Sequence, residues 1–138
     1  MVYLLDTNVI IRFLIGDHEE FLKQSKQYFR DIETASLQVE ILEGVLMEAF
    51  FVLTKFYKLP KSEVIQDLKT ILALDGVVNH NKIILHEALN IVDNKNVDFQ
   101  GKFAKATAFA TFVDALICAK SNLQNYGKLS FDSDVKKC

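Results

Sequence analysis

This 138-residue chain has only two cysteines, one proline, five scattered glycines and no long uninterrupted apolar run. Each shortage excludes a class of protein. The cysteines, Cys118 in an apolar stretch and Cys138 at the last residue, predict no disulfide framework and no zinc spacing, and point to a reducing cytosol. His18, His80 and His86 show no ligand spacing either, which leaves zinc chemistry without a donor set. Because the glycines are isolated, neither a phosphate-cradling loop nor a dinucleotide fingerprint can be written. No serine lies in a nucleophile elbow. With one proline and half its residues apolar, the chain is not disordered, collagenous or of low complexity. No stretch reaches the roughly 18 apolar residues of a membrane-spanning helix. The apolar opening MVYLLDTNVIIRFLIG is broken by Asp6, Asn8 and Arg12 and has no basic region ahead of it, which argues against a secretory signal.

Positive charge is also scarce. Sixteen basic side chains face eighteen acidic ones, a net charge of −2, so a polyanion must be met by a local patch and not by a basic coat. Residues 1–100 carry a net −5 and residues 101–138 a net +3, which makes the C-terminal quarter the better face for such a patch.

What is present alternates between short apolar strands and helices. VYLL reads as a strand buried on both faces, ending at Asp6, with Thr7 and Asn8 supplying turn and cap chemistry. Helices follow over Glu19–Ile32, Ile41–Tyr57 (closed at Pro60), Lys61–Leu72, Asn81–Val92 and Phe103–Leu123. Leu37–Val39, a brief run after Gly76, and Gly127–Phe131 read as strands. The pattern predicts one α/β domain with a parallel sheet, whose ligands gather beyond the carboxyl ends of the strands. Asp6 and Asp132 stand at two such ends.

Four carboxylates occupy apolar surroundings: Asp6 after VYLL, Glu48 within VLMEAFFVL, Asp114 within FVDALICA, and Asp132 after LSF. An ionised carboxylate buried without a partner costs several kcal/mol or more. Nearby basic residues are too few to neutralise all four. A hard divalent cation, Mg²⁺ or Mn²⁺, resolves the conflict, because such ions take carboxylate and water oxygens.

LLDTNVIIRFL, VLMEAFFVLTKFYKLP, GVV with the helix after it, NVDF, DALICA and LSFDSD, in this order, resemble the PIN-domain proteins of the VapC toxin type along essentially the whole chain. The resemblance implies a three-layer α/β/α fold with a short central parallel sheet. It implies a metal-dependent endoribonuclease, a toxin held in check by a small VapB-like antitoxin, and a homodimer in the cytoplasm. By position, Asp6, Glu48, Asp114 and Asp132 match the family's acidic quartet; Asn8 matches the polar partner of the first acid and Ser130 the hydroxyl residue before the last. Asp134 is a further candidate near the metal. Asp6 would be the central ligand, Asp114 and Asp132 would complete the set, and Glu48 would hold a metal-bound water. Unpaired RNA fits a narrow cleft of this kind, with Arg12, Lys55, Lys58, Lys102 and Lys105 as candidates to draw it in. The helices around Phe50–Phe56 and Val64–Leu72 carry more apolar positions than one face needs, which places the dimer contact there.

The chain departs from the family in one place. VDF at Val97–Phe99 and VDALICA from Val113 are separated by the alanine-rich QGKFAKATAFATF. Residues 100–112 therefore read as an extra helical segment, and Asp98 competes with Asp114 for the third ligand position. A segment that displaced the site would leave a catalytically silent PIN-like binding module, the alternative to the ribonuclease.

Overall fold

The computed structural model describes residues 1–94 and 108–138, which form two compact units, Met1–Lys82 and Ile83–Cys138. In the first, strand β1 (Val2–Leu4) leads into helix α1 (Thr7–Ile15) and helix α2 (Glu19–Glu33). Strand β2 (Gln38–Glu40), helix α3 (Glu43–Phe51) with a π-helical continuation over Val52–Phe56, and helix α4 (Lys61–Leu72) follow. The strands run parallel, with Val2 opposite Gln38 and Leu4 opposite Glu40. Val77 adds a parallel bridge to Val39, so β2 lies between two neighbours.

The two long amphipathic helices arise where the apolar spacing placed them. Helix α2 starts at His18, whose ring accepts the Phe21 amide (3.2 Å) with Glu19 and Glu20 in the first turn, a favourable end for the helix dipole. Its buried Phe29 meets Phe13 of α1 with ring centroids 4.4 Å apart. Helix α1 stops at Gly16, which takes the left-handed φ of 70° and returns its amide to the Arg12 carbonyl, a conformation glycine adopts without steric cost. Helix α4 buries Val64, Ile65, Leu68, Ile71 and Leu72, one stripe at helical spacing. All five are buried, so the surplus apolar face expected for a dimer is not on α4; Phe51 and Phe56 stay exposed. The π-helical turn coincides with Thr54, whose hydroxyl donates to the Phe50 carbonyl (2.8 Å), while Tyr57 N–H reaches back to Val52 (3.1 Å).

Beyond β2, Asn79 substitutes for a strand. Its side chain accepts the Ile41 amide (2.8 Å) and donates to the Ile41 carbonyl (2.7 Å), satisfying both polar groups of a buried residue.

Asp67 has a displaced titration. Burial, and then the charge of Glu63 one turn earlier, raise its pKa from the ordinary 3.8. The folded state therefore holds its proton more tightly than the unfolded chain, and stability falls as pH rises through the window above 3.8. Asp67→Asn is expected to raise the melting temperature at about pH 7, with the gain fading as pH falls to 3.8 and below. Thermal melts at both pH values check this; an equal or lower melting temperature at neutral pH would contradict it.

The second unit contains helices α5 (Lys82–Asn94, beginning one residue earlier), α6 (Ala108–Gln124) and α7 (Ser133–Lys137). Phe112, Ala115, Cys118 and Ala119 of α6 and Val135 of α7 are buried, and α6 and α7 are in contact. The expected extra segment at 100–112 lies outside the described residues up to 107; 108–112 belong to α6. Among the described residues no helix is long and apolar enough to cross a membrane.

Three expectations are corrected. Strand β1 is not buried: Val2, Tyr3 and Leu4 are half to two-thirds exposed, since among the described residues β1 pairs along one edge only. Gly127–Phe131 forms no strand with any of the described residues. Leu129 and Phe131 are fully exposed, and the Ser130 hydroxyl accepts the Asp132 amide (3.0 Å), closing a local turn in place of a ladder. The cysteines are not free either: Cys118 and Cys138 form a disulfide, with Cα atoms 5.6 Å apart. The bond ties the chain's last residue to a buried turn of α6 across 20 residues. A loop of that length confers about 3 kcal/mol on the chain-entropy account. Reduction is therefore expected to lower unfolding stability by about that amount, and Cys138→Ser to make stability insensitive to reductant. Denaturant titrations with and without reductant test it; two titratable thiols in the oxidised native protein would refute the bond.

Candidate active site

Asp6 is placed by the end of β1 and the start of α1. It is the cap residue of α1, with extended backbone (φ −83°, ψ 148°), yet its carboxylate makes no capping hydrogen bond. The cap is completed by the backbone, the Val9 amide donating to the Asp6 carbonyl (3.1 Å). An acid at this position usually spends its side chain on the first-turn amides. Here the carboxylate is exposed, has no polar partner among the described residues, and borders a cavity of about 470 Å³ together with Tyr3, Tyr28 and Asp31.

Asp31 carries no signal in the sequence. It sits inside α2, where an acid reads as part of a solvated face, and only the packing of α2 beside β1 brings it to the cavity that Asp6 borders. Its carboxylate accepts the Gln27 side-chain amide (3.1 Å).

Asn8, two residues past Asp6, is exposed and lines a second cavity of about 330 Å³ between α1 and α2. Arg12, one turn on, lines it too. The guanidinium pairs with Asp17 (3.0 Å) at the surface and lies 5.8 Å from the Phe21 ring centroid.

Glu48 is exposed on α3, between exposed Gly44 and part-exposed Val45 on one side and exposed Phe51 on the other. The burial expected for the quartet is therefore wrong for Asp6, Glu48 and Asp132, which are exposed, while Asp114 is half-buried. The apolar letters around Glu48 belong to the opposite side of α3, which buries Leu46, Met47, Ala49 and Phe50. Asp6 and Glu48 are open to solvent. Lys55 and Lys58 are exposed beyond them.

In the second unit, Asp114 lies on α6 one residue before buried Ala115. Ser130 and Asp132 share the turn into α7, which also contains Asp134. Asp98, Lys102 and Lys105 lie outside the described residues. Among the described residues no three His, Cys, Asp or Glu side chains group as a metal-holding cluster. The acids divide two and two: Asp6 and Glu48 in the first unit, Asp114 and Asp132 in the second. As a donor set, four carboxylates suit a hard cation such as Mg²⁺ or Mn²⁺, and Asp6 has both the space and an uncommitted side chain to serve one.

The PIN domain family model matches residues 3–138. The chain belongs to the PIN domain family. Its mostly helical build with a short parallel sheet agrees with the three-layer α/β/α fold of PIN domains, generally a nuclease fold that typically depends on Mg²⁺ or Mn²⁺. No curated protein and no solved structure matches the chain significantly.

Proposed function

We propose that this PIN domain, residues 1–138 as one nuclease domain, is a metal-dependent endoribonuclease that hydrolyses RNA phosphodiester bonds. The observation that carries this reading is Asp6: a carboxylate at a strand's carboxyl end, open to a cavity and spared by its own helix cap. Asp6, Asp114 and Asp132 would hold Mg²⁺ or Mn²⁺, with Glu48 beside them. The bound cation would supply an acidified water and stabilise charge on the phosphate. Asn8 would orient a group next to Asp6, Ser130 would steady the turn before Asp132 through its bond to the Asp132 amide, and Arg12, Lys102 and Lys105 would draw in the RNA backbone. Unpaired RNA suits the site because its bases and backbone can turn into a cleft.

The order of the acidic motifs supports the finer reading of a toxin in a type II toxin–antitoxin pair. Such a toxin would act in the cytoplasm as a homodimer and be neutralised by a VapB-like protein. In a reducing cytoplasm the Cys118–Cys138 pair would stand as two thiols.

The test is direct. Purified protein is mixed with a heterogeneous RNA pool and millimolar Mg²⁺ or Mn²⁺, with and without chelator. Cleavage that needs the cation is expected. RNA left intact with either metal would favour the silent binding module.

A further inference from the structure

The 330 Å³ cavity between α1 and α2 is built from two strips at helical spacing. Along α2 run Phe21, Gln24, Ser25 and Tyr28, positions i, i+3, i+4 and i+7, which share one face over about 10 Å. Asn8 and Arg12 of α1, one turn apart, line the other wall. The strip on α2 therefore has an aromatic ring at each end and polar groups between them.

Ser25 is the decisive residue. It is 3 % exposed, it lines the cavity, and among the described residues its hydroxyl has no hydrogen-bond partner. Buried hydroxyls are normally satisfied, so this one awaits a group delivered into the cavity. Phe21 and Tyr28 are 46 % and 45 % exposed. Phe21 is held in place, its ring stacked on His18 with centroids 4.1 Å apart and its amide fixed by the same imidazole. The amides of Asn8 and Gln24 each offer a donor and an acceptor. Arg12 brings a positive charge, paired at the surface with Asp17 (3.0 Å), and among the described residues no carboxylate lines this cavity.

Flat aromatic walls, an edge of mixed donors and acceptors, and one cation describe a nucleobase joined to phosphate. We infer that this cavity binds one unpaired base of the RNA substrate. The inference rests on the ribonuclease reading and extends it. Val9 and Tyr28 line both this cavity and the one that Asp6 borders, so the base is seated beside the phosphodiester presented to Asp6. The subsite then selects which residue flanks the cleaved bond.

Titration of the 138-residue chain with each of the four ribonucleoside 5′-monophosphates, followed by amide NMR, tests the assignment. Shifts are expected at Arg12, Phe21, Gln24 and Ser25, whereas ribose 5-phosphate, which lacks the base, is expected to move Arg12 alone. Phe21→Ala is expected to weaken nucleotide binding about 10-fold, the loss of one stacked base, and Tyr28→Ala gives a second measurement on the other ring. Asp6→Asn keeps nucleotide binding and loses cleavage. On RNA, Phe21→Ala raises KM or relaxes the sequence cut, with kcat little changed. Two results would overturn the subsite: equal shifts at Phe21, Gln24 and Ser25 with ribose 5-phosphate, or RNA cleavage by the wild type together with unchanged KM and sequence preference in Phe21→Ala. Nucleotide binding at these residues without any metal-dependent cleavage would instead leave the subsite standing and remove the ribonuclease reading.

Discussion

Asp6→Asn is expected to lower metal-dependent RNA cleavage by more than about 100-fold. The substitution preserves size and shape and removes the charge that draws the cation. Loss of a group that merely orients a metal ligand typically costs roughly 10- to 100-fold, so loss of a ligand itself exceeds that range. The fold is expected to survive. The carboxylate makes no capping bond and no ion pair among the described residues, so no interaction inside the first unit is lost. An N-cap asparagine serves as well as aspartate. The assay compares initial rates of wild type and variant at saturating Mg²⁺, after purification stringent enough to exclude host nucleases, with melting temperature as the control. A variant that cleaves as fast as wild type would remove Asp6 from the site. A variant that unfolds near the assay temperature would assign Asp6 a structural role that its open surroundings do not support.

Helices α2 and α4 are legible in the sequence because one helix face decides them. Glu19 and Lys61 open runs whose apolar residues recur at three and four, and that recurrence needs no knowledge of the partner. Gly127–Phe131 misleads because a strand is a pairing and not a segment; LSF has the letters of a strand, and its Ser130 bonds to the next turn. Glu48 misleads for a related reason, since letters flanking a residue do not say which side of the helix it takes. Asp6 and Asn8 are visible through their place between strand and helix. Asp31 and Ser25 are not, because an acid and a serine within an amphipathic helix look like ordinary solvated or small positions until β1 and α1 are laid against them. The disulfide is hidden because it joins an apolar helix turn to the last residue, without the repeated spacing that marks a framework.

Gly76 and Gly44 stand in opposite surroundings in the structure. Both are expected to respond to alanine, with opposite signs. Gly76 sits where the chain leaves α4 and turns alongside β2. Its amide donates to the Ile32 carbonyl (2.8 Å), and its carbonyl accepts the Val39 amide (2.7 Å). A methyl group there would collide with the carbonyl oxygens of Ile32 and Leu37 and approach Ile32 Cα to 2.9 Å. All three are backbone atoms, which cannot swing aside as a side-chain tip would. Relief requires moving the end of α2 away from the Val77 bridge, breaking the hydrogen bonds that hold Val77 against β2. Gly76→Ala is therefore expected to destabilise by about 3 kcal/mol or more, the upper range for an overpacked site. Gly44 lies in the first turn of α3, exposed, and a methyl group added there would meet nothing within 4 Å among the described residues. Gly44→Ala removes only backbone freedom from the unfolded chain and is expected to stabilise by up to about 1 kcal/mol. Denaturant unfolding of both variants measures the difference directly. Near-equal stabilities would mean that the turn at Gly76 yields, and that the Val39–Val77 bridge contributes little to holding the first unit's sheet.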